Sequence, residues 1–106
     1  AGNVGFCYGL LATDIEDGAK PLPESVEAQT RKIVHNLERV LDAHGLTSEA
    51  VTAIHIHLTQ FRRFHERMHG AFIHAFARHG ECAVSCVGVT DLPRDALVQM
   101  NITIIQ

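Results

Sequence analysis

The segment Glu27 to Val51, EAQTRKIVHNLERVLDAHGLTSEAV, constrains the fold more than any other part of this chain. Val26, Thr30, Ile33, Leu37, Val40 and Leu41 recur at helical spacing and predict one long helix with a single buried stripe. Its start is expected near Pro23 or Glu24, where proline tolerates the first turn and Glu24 and Glu27 suit the positive end of the dipole. Gly45, directly after His44, is the expected stop. A strand entry follows, because Thr52 to Thr59 alternates: Ile54, Ile56 and Leu58 fall on one face and Ala53, His55, His57 and Thr59 on the other.

The same periodicities place the remaining elements. Asn3 to Asp14 reads as a strand with a bend or bulge at Gly9, and Glu16 to Pro23 as a loop. A second helix is expected from about Phe61 to Arg78, with Phe64, Met68, Phe72, Ala75 and Phe76 inward and Gly80 ending it. Ala83 to Thr90 is a third strand, Leu92 to Asp95 a turn, and Leu97 to Ile105 a last strand. In that strand Val98, Met100, Ile102 and Ile104 oppose Leu97, Gln99, Asn101 and Thr103. At 106 residues this is one domain, residues 1–106. Because Ala1 is not a methionine, a short N-terminal segment is expected to be missing.

Charge and cysteine content narrow the function classes. A formal net charge of −3, with only Arg62, Arg63 and Arg67 clustered, disfavours a nucleic-acid partner. No run reaches the ~18 apolar residues of a membrane span, so no membrane partner is expected. Cys82 and Cys86, if on one strand, stand roughly 13 Å apart at ~3.3 Å per residue, beyond disulfide reach. With Cys7 they form an odd set without metal spacing, which fits thiols in a reducing, cytoplasmic setting. The second faces of the strands carry His, Gln, Asn and Thr rather than Lys and Glu. Such residues suit a surface closed by other subunits.

Three blocks bear a resemblance. Glu27-Ala28-Gln29-Thr30 with Asn36-Leu37 and Gly45, Leu58-Thr59 before a Phe-rich helix, and the stretch from Val87 through Leu92-Pro93 to the final strand are similar to the Rid family (reactive intermediate deaminases, YjgF-like or L-PSP). The resemblance implies an α+β fold of chorismate-mutase-like type, two helices on one sheet face, and a homotrimer with small-molecule clefts between subunits. It also implies hydrolysis or tautomerisation of imine or enamine intermediates such as 2-aminoacrylate, without a cofactor.

The family grips its substrate carboxylate with an arginine two residues before a cysteine of the third strand, a bidentate recognition that no other residue type matches. Here Cys86 is that cysteine and Val84 stands at the arginine position. The water-ordering glutamate of the last strand falls at Asn101, which cannot take a proton at neutral pH. A helix asparagine falls near Met68 or His69. The resemblance therefore leaves His69, Cys86 and Asn101 as candidate catalytic groups, and Val84, Tyr8 and Gly88 as candidate substrate-binding residues. The alternative is a non-catalytic small-molecule-binding, regulatory or scaffold trimer of the same fold.

Two histidine patterns point elsewhere. His65-Glu66-Arg67-Met68-His69 matches H-E-x-x-H, the zinc-hydrolase helix in which two histidines one turn apart bind metal. A third ligand would have to come from His74, His79 or Glu81, at no known spacing, and the helix must also pack its phenylalanines on a sheet. His55 and His57 share a strand face, where interface hydrogen bonding competes with metal binding. No resident metal is expected from either.

Overall fold

A computed structural model describes residues 4–76 and 82–105; for Cys7 and Tyr8 it describes the backbone alone. The elements run β1 (Val4–Leu10), α1 (Val26–Ala43), β2 (Val51–Thr59), α2 (Phe61–Ala75), β3 (Ala83–Val89) and β4 (Val98–Ile105). The strands form one sheet in the order β1-β4-β2-β3. β4 runs antiparallel to both neighbours, whereas β2 and β3 are parallel and joined by α2. This is an α+β fold with both helices on one face of a mixed sheet, as the resemblance implies.

α1 begins at Val26 rather than at Pro23 or Glu24, because Ser25 is extended and its hydroxyl accepts the Ala28 N–H at 3.1 Å. That cap satisfies an orphan donor which a proline at the start would leave bare. The helix ends as expected: Gly45 adopts φ 68°, its N–H bonds Asp42 O, and Leu46 N–H bonds Leu41 O at 2.9 Å. Those two bonds make a Schellman stop, with Leu41 in the core and Leu46 packed against that core.

The buried stripe holds Val26, Thr30, Ile33, Leu37 and Leu41 as expected, with Val40 only half-buried. It also takes in Val34 and two polar residues, Gln29 and Asn36. Gln29 Nε2 donates to Pro23 O, and its Oε1 accepts the Leu97 N–H at 2.9 Å. Asn36 Nδ2 donates to Leu11 O and Thr13 O. Periodicity alone could not flag them, because their burial depends on loops that come back to meet the helix.

On the sheet side, Ile54, Ile56, Leu58, Val98, Met100, Ile102 and Ile104 are buried against Phe64, Met68 and Phe72 of α2 and the stripe of α1. Full burial of each such side chain contributes about 1.5–3 kcal/mol. α2 stops at Ala75 instead of continuing to Arg78, with Phe76 leaving helical geometry at ψ 82°. Residues 77–81, including the expected stop at Gly80, lie outside the described residues. Among the described residues, no helix is long and apolar enough to cross a membrane.

Candidate functional site

The pairing of β2 with β3 decides which side chains can meet. Ile54 pairs with Val84, Ile56 with Cys86 and Leu58 with Gly88, so these three β3 residues share the helix-covered face. His55 pairs with Asn101 and His57 with Gln99, placing those residues on the opposite, open face. Val84, Cys86 and Gly88 therefore lie on one side of the sheet and Asn101 on the other, with β2 between β3 and β4.

On the covered side, α2 runs beside β3. Gly88 lies against the Phe61 side chain so closely that a Cβ there would stand 3.1 Å from the Phe61 Cβ. Phe61 stacks on His65 at a centroid distance of 4.6 Å, and His65 on His69 at 5.8 Å. Spacing of four residues puts all three rings on one helix face. His65 is half-buried and His69 exposed. Cys86 is half-buried, and that burial pushes its thiol above the ordinary range, which lowers the thiolate fraction at neutral pH. Val84 is 47% exposed at the margin of the helix cover.

His65 and His69 present their rings face to face, 16° from parallel, so their nitrogens do not converge on one point as shared metal ligation requires. Among the described residues, no three His, Cys, Asp or Glu side chains gather as a metal site. His74 is exposed on α2, while His79 and Glu81 lie outside the described residues.

The open face is a polar network. Asn101 Oδ1 accepts the Gly9 N–H at 2.7 Å. Gly9 sits at φ 67° where the β1–β4 register shifts, so the bend expected at Gly9 is a bulge stapled by Asn101. With one lone pair of its carbonyl engaged there, the amide still offers its two N–H donors. His57 Nδ1 meets Gln99 Oε1 at 3.1 Å, and His55 Nδ1 shares a short hydrogen bond with Ser85 Oγ. Gln99 lies on the face that alternation of the last strand gave it, while its pairing with His57, and that of Ser85 with His55, come from the strand register. Tyr8 has its backbone in β1, and its side chain lies outside the described residues.

The arginines of α2 serve the helix surface. Arg67 Nε and Nη2 donate to both Glu27 carboxylate oxygens at 3.0 and 2.8 Å, joining α2 to α1. Arg63 donates to Gln60 Oε1, and the guanidinium groups of Arg63 and Arg67 lie 4.9 and 5.4 Å from the Phe64 ring centroid. A cavity of about 470 Å³ lies elsewhere, against Val34, His35, Glu38, Arg39 and Phe76, and none of the candidate site residues lines it.

Comparison with known proteins agrees with this architecture. The family described as endoribonuclease L-PSP matches residues 1–106. A RutC family protein of Pyrococcus horikoshii is 26% identical over 101 residues, covering 95% of this chain and 78% of the relative. RidA from an Antarctic Psychrobacter superposes with a TM-score of 0.87 at 22% identity, over 100% of this chain and 83% of that one. YyfA of Yersinia pestis, from the conserved Rid family, superposes with a TM-score of 0.86 at 24% identity, over 97% and 80%. With the family matched along the whole chain and its helices and sheet arranged alike, the chain belongs to the Rid, or L-PSP, family.

Proposed function

We propose that the chain forms a homotrimer whose inter-subunit clefts bind a small, uncharged or weakly polar molecule without deaminase turnover. The observation that carries this is the partition of the candidate residues between the two sheet faces. Val84, Cys86 and Gly88 with Phe61 look one way; Asn101, His57 and Gln99 look the other. Both groups can border one ligand only if two chains supply them.

Neither group contains a cation to hold a carboxylate or a carboxylate to activate water. Val84 offers no donor, Asn101 is engaged by Gly9, and Cys86 is held in its thiol form by burial. Binding is what remains, with stacking on Phe61 and hydrogen bonds from the open face supplying selectivity. The reading supposes a small-molecule ligand and further copies of the chain as partners, with no nucleic acid and no membrane.

A second reading, hydrolysis or tautomerisation of an imine or enamine, is favoured by one feature. The Phe61–His65–His69 ladder sets titratable rings on the helix face that begins at Gly88. His69 would carry the proton in that case. Two measurements separate the readings. Thermal shift against neutral metabolites and matched carboxylates should show stabilisation by a neutral ligand, since binding the native state at 100 times Kd adds about 2.7 kcal/mol. Ammonia release from 2-aminoacrylate generated in situ should not exceed the uncatalysed rate. Turnover that disappears in His69→Gln or Cys86→Ser would overturn the binding-only reading and establish the catalytic one.

A further inference from the structure

The open sheet face has an unusual charge composition. Its described side chains are Val4 and Phe6 of β1, Ala53, His55, His57 and Thr59 of β2, Ala83, Ser85, Val87 and Val89 of β3, and Gln99, Asn101, Thr103 and Ile105 of β4. No Asp, Glu, Lys or Arg is among them, and both helices lie on the other side. Four large apolar side chains are exposed on it: Val4 at 56%, Phe6 at 57%, Val87 at 52% and Ile105 at 44%. His55 and His57 are the titratable groups that β2, β3 and β4 bring to this surface. From β1, Val4 and Phe6 add none, while the side chains of Cys7 and Tyr8 lie outside the described residues.

The hydrogen bonds fix how these histidines take a proton. Gln99 Oε1 can only accept, so His57 Nδ1 donates and the lone pair of the neutral ring sits on Nε2. His55 is likewise held through Nδ1, by Ser85 Oγ, a hydroxyl that can accept from the ring or donate to it. In both rings Nε2 has no hydrogen-bond partner among the described residues. Protonation of either ring would thus place a formal charge on an apolar and neutral-polar surface without breaking the bonds that orient the ring. In a single chain water solvates that charge. Against a second copy of the same face the described side chains offer no carboxylate to meet it, and a buried unpaired charge is strongly disfavoured.

We infer that His55 and His57 make self-association through this face proton-gated, so that the chain assembles at neutral and alkaline pH and separates in mild acid. The inference rests on the assembly proposed above and adds its regulation. The sign follows from linkage: the assembled state favours the neutral rings, so its stability is present at neutral and alkaline pH and declines in mild acid. Each histidine can weaken association by up to about tenfold per pH unit.

The test is sedimentation of the full chain at pH 7.5 and 5.5, at fixed ionic strength with EDTA present, and with circular dichroism confirming a folded chain at both. The parent should lose at least about tenfold in self-association at pH 5.5. His55→Gln/His57→Gln should stay assembled at both pH values, and each single variant should respond partially, providing a readout if the double variant folds poorly. A parent equally assembled at both pH values would overturn the inference and leave the assembly standing. So would a double variant that separates in acid as the parent does. A parent that is a single chain at pH 7.5 would overturn the assembly reading itself.

Discussion

At the scale of single residues, Asn101 shows a strand side chain spent on backbone geometry. Its carbonyl oxygen holds the β1 bulge through the Gly9 N–H, which is a task of strand geometry rather than of chemistry. Asn101→Ala should therefore destabilise the fold by about 0.5–1.5 kcal/mol, the net worth of one exposed hydrogen bond. Chemical denaturation would measure it, and an unchanged stability would mean the bulge holds by itself. Glu27 acts at the same scale. The guanidinium of Arg67 holds its carboxyl below the ordinary value of 4.5. A lowered carboxyl favours the native state above that value, and the contribution is lost as pH falls through the folded one. Glu27→Gln should accordingly melt below the parent at pH 7, and the gap should narrow as pH falls below the ordinary carboxyl value. A gap of constant size across that range would show that the ion pair is not its source.

At the scale of elements, the inner face of α2 meets the sheet through Phe64, Met68 and Phe72. Met68 is 1% exposed, so Met68→Ala should cost about 2–5 kcal/mol in unfolding free energy. A loss below about 1 kcal/mol would show that the site collapses around the smaller side chain. These elements were legible in the sequence because each repeats a period: the stripe of α1, the phenylalanines of α2 and the alternation of β2 and β4 all name their buried faces. Gly45 announced its stop because few other residues take positive φ without strain. What periodicity missed is what depends on chain segments meeting. Ser25 outcompeted Pro23 as the start of α1 through a hydroxyl-to-backbone bond. Gln29 and Asn36 are buried because Pro23, Leu97, Leu11 and Thr13 return to them. The candidate positions Val84 and Asn101 could be named from the sequence by resemblance, but their separation onto opposite faces emerged only from the strand register.

At the scale of the whole molecule, one chain divides the candidate residues between the two faces of its sheet. The covered side of β3 carries an apolar edge with an aromatic ladder, and the described side chains on the open side of the sheet are a charge-free mixture of exposed apolar groups and paired polar ones. A surface of that composition is costly to leave in water, and burying it against copies of itself satisfies both its apolar and its polar groups. Every functional statement about a cleft depends on that assembly. The most direct measurement is therefore the mass of the particle in dilute solution at pH 7.5, by native mass spectrometry or sedimentation equilibrium. The account predicts three times the 11.7 kDa of one chain. A particle of one chain mass across the micromolar range would contradict it.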